Sequence, residues 1–82
     1  MEIKVLGPGC NNCKRLHAET EKALRQLGIE VQVTKVEKIN EIVAYGAMMT
    51  PALVINGKVK AAGRIPTQTE LTSWLATAAM GE

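Results

Sequence analysis

The sequence predicts an α/β fold with the element order βαβαββα, and three observations carry that expectation. Residues 2–6 and 29–36 alternate polar and apolar as strands do, and a segment of helical period lies between them. Asn56-Gly57 separates two short apolar segments, and this dipeptide favours a two-residue type I′ hairpin because both turn positions need positive φ. After Gly63–Pro66 the chain resumes an apolar stripe of helical spacing.

Taken in order, Glu2-Ile3-Lys4-Val5-Leu6 forms a strand with at least one buried face, stopped by Gly7-Pro8-Gly9. A helix is expected from about Asn11 to Leu27, since Cys13, Leu16, Ala23, Leu24 and Leu27 recur at intervals of three and four and Gly28 supplies a C-terminal stop. The second strand is expected from Ile29 to about Val36, with Ile29, Val31 and Val33 on one side. Ile39, Ile42 and Val43 mark a short second helix ending near Tyr45-Gly46. Ala52–Ile55 and Lys58–Ala62 are the arms of the hairpin. Thr67 is placed to cap the last helix, with Glu70 three residues on, and Leu71, Trp74, Leu75 and Ala78 form its apolar stripe. Fraying is expected from Ala76 to Glu82.

At 82 residues the chain suits a single domain spanning 1–82. The 46% hydrophobic content suffices for one core, which must be aliphatic because Phe is absent and Trp74 and Tyr45 are the only large aromatics. That scarcity removes the stacking platforms single-stranded nucleic acid requires. A net charge of +2 without a basic block argues against a phosphate-binding face. No segment approaches the roughly 20 apolar residues of a membrane span, and the first ten residues read as strand and loop rather than signal peptide. No nucleic-acid partner, no membrane association and a cytoplasmic location are therefore expected, with the chain acting as a monomer. In the cytosol structural disulfides are rare, so two closely spaced cysteines point to redox or metal chemistry.

Cys10 and Cys13 are those cysteines, separated by Asn11 and Asn12. A Cys-x-x-Cys spacing at a helix start brings the sulfurs within disulfide reach. Cys10, at or just before the helix N-terminus, meets unpaired N–H groups and the positive dipole end that favour a thiolate, and is expected to attack. Cys13, one turn in and facing the core, is expected to resolve the mixed disulfide. Lys14 and Arg15 read first as a solvated helical face. The same pair is also half of a common zinc motif, and Cys10-x-x-Cys13-x-x-x-His17 must be weighed as a metal or metalloid site. No second cysteine pair or second histidine completes it, so His17 reads first as a boundary residue, then as a modulator of Cys13, and last as a ligand. Met48 and Met49 read as core filler, with a greasy rim for a partner peptide as the other option. From pattern alone Pro51 is an ordinary trans proline at a strand start.

With these residues in place, the chain resembles the small thioredoxin-like and glutaredoxin-like redox-active disulfide proteins of archaea and bacteria. The likeness covers nearly the whole chain. It rests on Gly7-Pro8-Gly9-Cys10-Asn11-Asn12-Cys13 opening a helix, on Thr50-Pro51-Ala52-Leu53-Val54-Ile55-Asn56-Gly57-Lys58-Val59 as a hairpin, on Gly63 after the fourth strand, and on the final helix. It implies a thioredoxin-like fold: a four-stranded mixed sheet flanked by three helices, with the first two strands parallel through a right-handed crossover. It also implies a cis Thr50-Pro51 bond facing the cysteines, and a substrate chain adding to the backbone at Thr50, so Thr50 and Pro51 join the site as substrate-binding residues.

The chain departs from classical thioredoxins in Gly9 before the pair, Asn11-Asn12 within it, and Lys4 on the strand where they carry a buried acid. Ala61-Ala62-Gly63-Arg64-Ile65-Pro66 also lacks the Gly-Gly-acid pattern of glutathione-binding glutaredoxins. The resulting expectation is a thiol-disulfide oxidoreductase, active in electron transport and cell redox homeostasis. It would exchange electrons between protein disulfides or dithiols and a reductase not yet identified, with no cofactor beyond the Cys10–Cys13 disulfide. The alternatives are a metal or metalloid binding module and a noncatalytic partner-binding domain.

Overall fold

The computed structural model describes residues 1–9 and 11–81. Among them the elements run β1 (Ile3–Leu6), α1 (Asn11–Leu27), β2 (Val33–Val36), α2 (Ile39–Ala44), β3 (Ala52–Ile55), β4 (Lys58–Ala62) and α3 (Gln68–Ala79). This is the expected βαβαββα order. The strands form one mixed sheet in the order β2-β1-β3-β4. β1 and β2 are parallel, which requires the α1 crossover between them, while β3 lies antiparallel to both β1 and β4.

Side-chain alternation along the strands sorts the core into two layers. Ile3 and Val5 of β1, Val33 of β2 and Leu53 and Ile55 of β3 meet Leu16, Ala23 and Leu24 of α1 and Leu71 and Leu75 of α3. Leu6, Ala52 and Val54 point the other way, onto Ile42 of α2 and Ala47. All four β3 residues are buried because that strand is covered on both faces. Asn56 (φ 51°) and Gly57 (φ 81°) both adopt the positive φ of a type I′ turn. The Asn56 N–H donates to Glu2 O at 2.7 Å and the Asn56 Oδ1 accepts from Glu2 N–H at 2.9 Å, so the hairpin tip is tied to the start of β1.

Four expectations are corrected. β2 begins at Val33, not Ile29. The Ile29 N–H instead closes α1 by donating to Leu24 O at 3.0 Å, and ladder pairing starts only where Ile3 meets Val33. On α1, Leu27 is exposed, whereas Thr20, which the apolar pattern skips, is fully buried and donates its hydroxyl to Leu16 O at 2.8 Å. Met48 and Met49 are not core filler: they are 95% and 62% exposed. α3 holds to Ala79 instead of fraying at Ala76, and Glu82 lies outside the described residues. Its start has the expected capping box, with Thr67 Oγ1 accepting from Glu70 N–H at 3.2 Å and the Glu70 carboxylate accepting from Thr67 N–H at 3.1 Å. No helix among the described residues is long and apolar enough to cross a membrane.

Candidate functional site

The site forms where the C-terminal end of β1 turns into α1. Cys13 is only 5% exposed, on the buried side of the first turn of α1. It is not a free thiol; its sulfur is engaged in a disulfide. The roles expected of Cys10 fall on a residue outside the described set. Opposite Cys13 stands Gly7, also buried, whose N–H donates to Val36 O at 2.9 Å and so extends the β1–β2 ladder past Leu6. A Cβ at Gly7 would collide with Cys13 Sγ and stand 3.2 Å from Cys13 Cβ. Only a residue without a side chain lets the sulfur lie against the backbone here.

Thr50 flanks the same glycine, its Cβ 3.8 Å from the point where a Gly7 Cβ would be. The antiparallel register explains the meeting, because Leu6 pairs with Ala52 and the chain beyond each strand continues past the other. Thr50 is exposed and Pro51 buried, and the peptide bond between them is cis, as the resemblance implied and the composition of the strand alone did not. Gly63 N–H donates to Pro51 O at 2.9 Å, which carries the β3–β4 pairing to the proline. Over Gly63 lies the Met49 side chain, with Cε, Cβ and Sδ at 2.9, 3.1 and 3.2 Å from where a Gly63 Cβ would sit. The structure therefore brings Cys13 and Thr50 to the two sides of Gly7, and Pro51 follows Thr50 at the start of β3.

A cleft of about 310 Å³ opens beside Cys13, lined by Val5, Gly7–Gly9, Lys14, Lys35 and Glu37. Sequence reasoning missed Gly7, Lys35 and Glu37. The signal was present: Val33 faces the α1 layer, and period two carries Lys35 and Glu37 along that same side of the chain to the cysteine end of β1. Lys4 points to the opposite layer, where its ammonium donates to the Tyr45 hydroxyl and lies 5.0 Å from that ring's centre, with Glu2 Oε1 at 3.4 Å. The hydrogen bond to Tyr45, aided by Glu2, holds its pKa above the ordinary lysine value.

His17 is half-buried, with Nε2 3.2 Å from Val33 O and Nδ1 3.2 Å from Glu21 Oε1. It thus stitches α1 to β2, the boundary role. Among the described residues no three His, Cys, Asp or Glu side chains gather in a way that could hold a metal ion.

A parallel strand-helix-strand unit joined to a β-hairpin, with a buried cysteine at the start of the first helix, defines a protein of the thioredoxin superfamily. The family model described as a thioredoxin domain matches residues 1–76, and the chain belongs to that family. It is similar to a thioredoxin of Methanothermobacter thermautotrophicus, with 31% identity over 71 residues that make up 87% of this chain and 92% of that protein. A thioredoxin of Methanocaldococcus jannaschii is 30% identical over 69 residues, 84% of this chain and 79% of that one.

Proposed function

We propose that this protein is a thiol-disulfide oxidoreductase that exchanges electrons with protein disulfides through Cys10 and Cys13. The observation that carries the reading is the seating of Cys13 against Gly7 with exposed Thr50 on the other side of the same glycine. A buried resolving sulfur then lies beside an edge where an extended substrate chain can add to the Thr50 backbone. The thioredoxins it resembles support the same reading. In the reducing direction Cys10 attacks the substrate disulfide and forms a mixed disulfide. Cys13 then attacks the Cys10 sulfur, the second substrate thiolate leaves, and the protein retains the Cys10–Cys13 disulfide. Two electrons pass from the dithiol to the substrate, and a reductase restores the pair. The cysteine pair serves without a further cofactor, in a cytoplasmic monomer.

The test is thiol trapping in buffers of defined redox potential. Wild type is expected to form a reversible intramolecular disulfide, Cys13→Ser to accumulate mixed disulfides through Cys10, and Cys10→Ser to form none. A wild type with no reversible disulfide would remove the reading, and stoichiometric zinc lost on either substitution would replace it with the metal-binding one.

A further inference from the structure

The β2 edge of the sheet has the backbone pattern of a pairing edge, and one side chain of α1 stands against it. Among the described residues the sheet ends on β2 at one side and on β4 at the other. An end strand turns backbone N–H and C=O groups outward, where a further strand can add. β4 is interrupted: Leu53 faces Ala61 and Val54 faces Val59, which makes Lys60 the extra residue of a bulge. A bulge carrying a lysine turns an edge away from flush pairing. β2, by contrast, runs in unbroken register against β1 from Val33 to Val36 and contains no proline.

The Gly7 N–H donates to Val36 O at 2.9 Å, so the backbone groups of Val36 turn toward β1. Along a strand the N–H and C=O of one residue share a side and those of the next take the other, so Thr34 also turns toward β1 while Val33 and Lys35 turn outward. These two residues make the edge self-complementary. Laid antiparallel about a two-fold axis between the two Thr34 residues, a second copy sets its Lys35 opposite Val33 and its Val33 opposite Lys35, and each opposed pair exchanges two N–H···O bonds. Both pairs use Val33 O as an acceptor.

In the folded chain that acceptor is already engaged. His17 reaches from α1 and sets Nε2 3.2 Å from Val33 O, and because a carbonyl can only accept, Nε2 carries the donated proton. Glu21 Oε1, one turn further along α1, stands 3.2 Å from Nδ1. The ring is thereby held half-buried against the outward side of β2.

We infer that His17 caps the β2 edge and keeps this chain from pairing there with a second copy of itself. Removing the ring releases Val33 O at both ends of the self-complementary register. The cap forms within one chain, so its hold is independent of protein concentration, whereas pairing with a second copy grows with it.

Sedimentation equilibrium of the oxidised protein, combined with amide exchange at Lys35 read by NMR, tests the cap. Wild type is expected to sediment as a single chain. His17→Leu keeps apolar bulk but removes the donor, and about half its chains should be dimeric at about 0.5 mM, a Kd of that order and at least roughly tenfold tighter than that of wild type. His17→Ala, which adds no apolar surface, should associate likewise, and His17→Gln, which retains an N–H donor, should return to the single-chain mass. The Lys35 N–H of His17→Leu should exchange roughly twofold more slowly at that concentration than at high dilution, while in wild type its exchange is independent of concentration. Folded His17→Leu and His17→Ala that remain single chains would overturn the cap, as would dimers whose Lys35 exchange ignores concentration. A wild type that dimerises with its Lys35 amide protected would overturn it too. Circular dichroism establishes that each variant is folded, and non-reducing gels exclude disulfide-linked dimers.

Discussion

Gly7 and Cys13 are in direct backbone-to-sulfur contact across the β1–α1 junction, with Gly7 too closely faced by the sulfur to carry any side chain. That contact fixes where the first turn of α1 stands relative to the sheet, because Gly7 is itself anchored to β2 through Val36 O. Gly7→Ala must therefore move either the sulfur or the strand end, an overpacking strain that costs about 1–3 kcal/mol in a packed site. The oxidised protein is expected to lose that much stability in urea, and the variant to re-form its disulfide more slowly than wild type. Equal urea midpoints for the two oxidised proteins would show that the junction yields without strain.

The apolar face of the site is held in a similar way by Met49 and Gly63. Gly63 has φ +75° and lies under the Met49 side chain, so Gly63→Ala meets a backbone penalty of roughly 1–2 kcal/mol and a steric one together. The two separate in a double-mutant cycle with Met49→Ala. Met49→Ala removes the Sδ and Cε contacts but keeps the Cβ at 3.1 Å, so it should recover part of the steric loss of Gly63→Ala and none of the backbone part. Strict additivity of the two substitutions, measured by denaturant unfolding, would mean that Met49 does not press on Gly63.

Much of this architecture was legible in the sequence, for reasons that differ by element. Asn56-Gly57 and the Thr67–Glu70 box are local signals, set by turn and cap chemistry within four residues, and both appear as expected. Ile29 and Val31 keep strand alternation and so extend the expected strand beyond β2, while the tertiary packing uses them differently: Ile29 caps α1, and both pack half-buried against the α1–α3 core. Met48 and Met49 carry no periodic signal that separates core from rim, and only the folded chain shows them in solvent. Cys13 could be placed from helical spacing alone. Its neighbours Gly7, Lys35 and Glu37 could not be assembled until strand pairing set β2 beside β1.

Leu53 tests the energetic centre of the sheet. It is fully buried in β3, in the layer shared with Leu16, Leu71 and Leu75, which ties α1 and α3 to the central strands. Leu53→Ala removes its share of that packing and leaves a cavity, for a loss of about 2–5 kcal/mol. Ile39→Ala, at a position 72% exposed on α2, is expected to change stability by about 0.5 kcal/mol at most. Urea unfolding of the two variants side by side should separate them clearly, and similar midpoints would contradict the assignment of the core.

Acid sensitivity should localise to the start of α3. The Arg64 guanidinium grips the Glu70 carboxylate in a bidentate pair, Nη1 to Oε1 at 3.0 Å and Nη2 to Oε2 at 2.8 Å, while the Thr67 N–H donates to Oε1 at 3.1 Å. The Arg64 hydrogen bonds first, and the Thr67 backbone second, pull the Glu70 pKa from its ordinary 4.5 down to about 2. A depressed carboxylate stabilises the fold above its unfolded value and loses that contribution as pH falls through the folded value. Glu70 should thus help fully at neutral pH, progressively less below about 4.5, and not at all below about 2. The contribution is small because the pair is solvent-exposed and screened by salt. Thermal midpoints of wild type and Glu70→Gln, measured from about pH 6 to below 2 at low ionic strength, should differ most near neutrality and converge as the acid limit is approached. Parallel curves across that window would show that Glu70 takes up its proton at the same pH in the folded and unfolded chain.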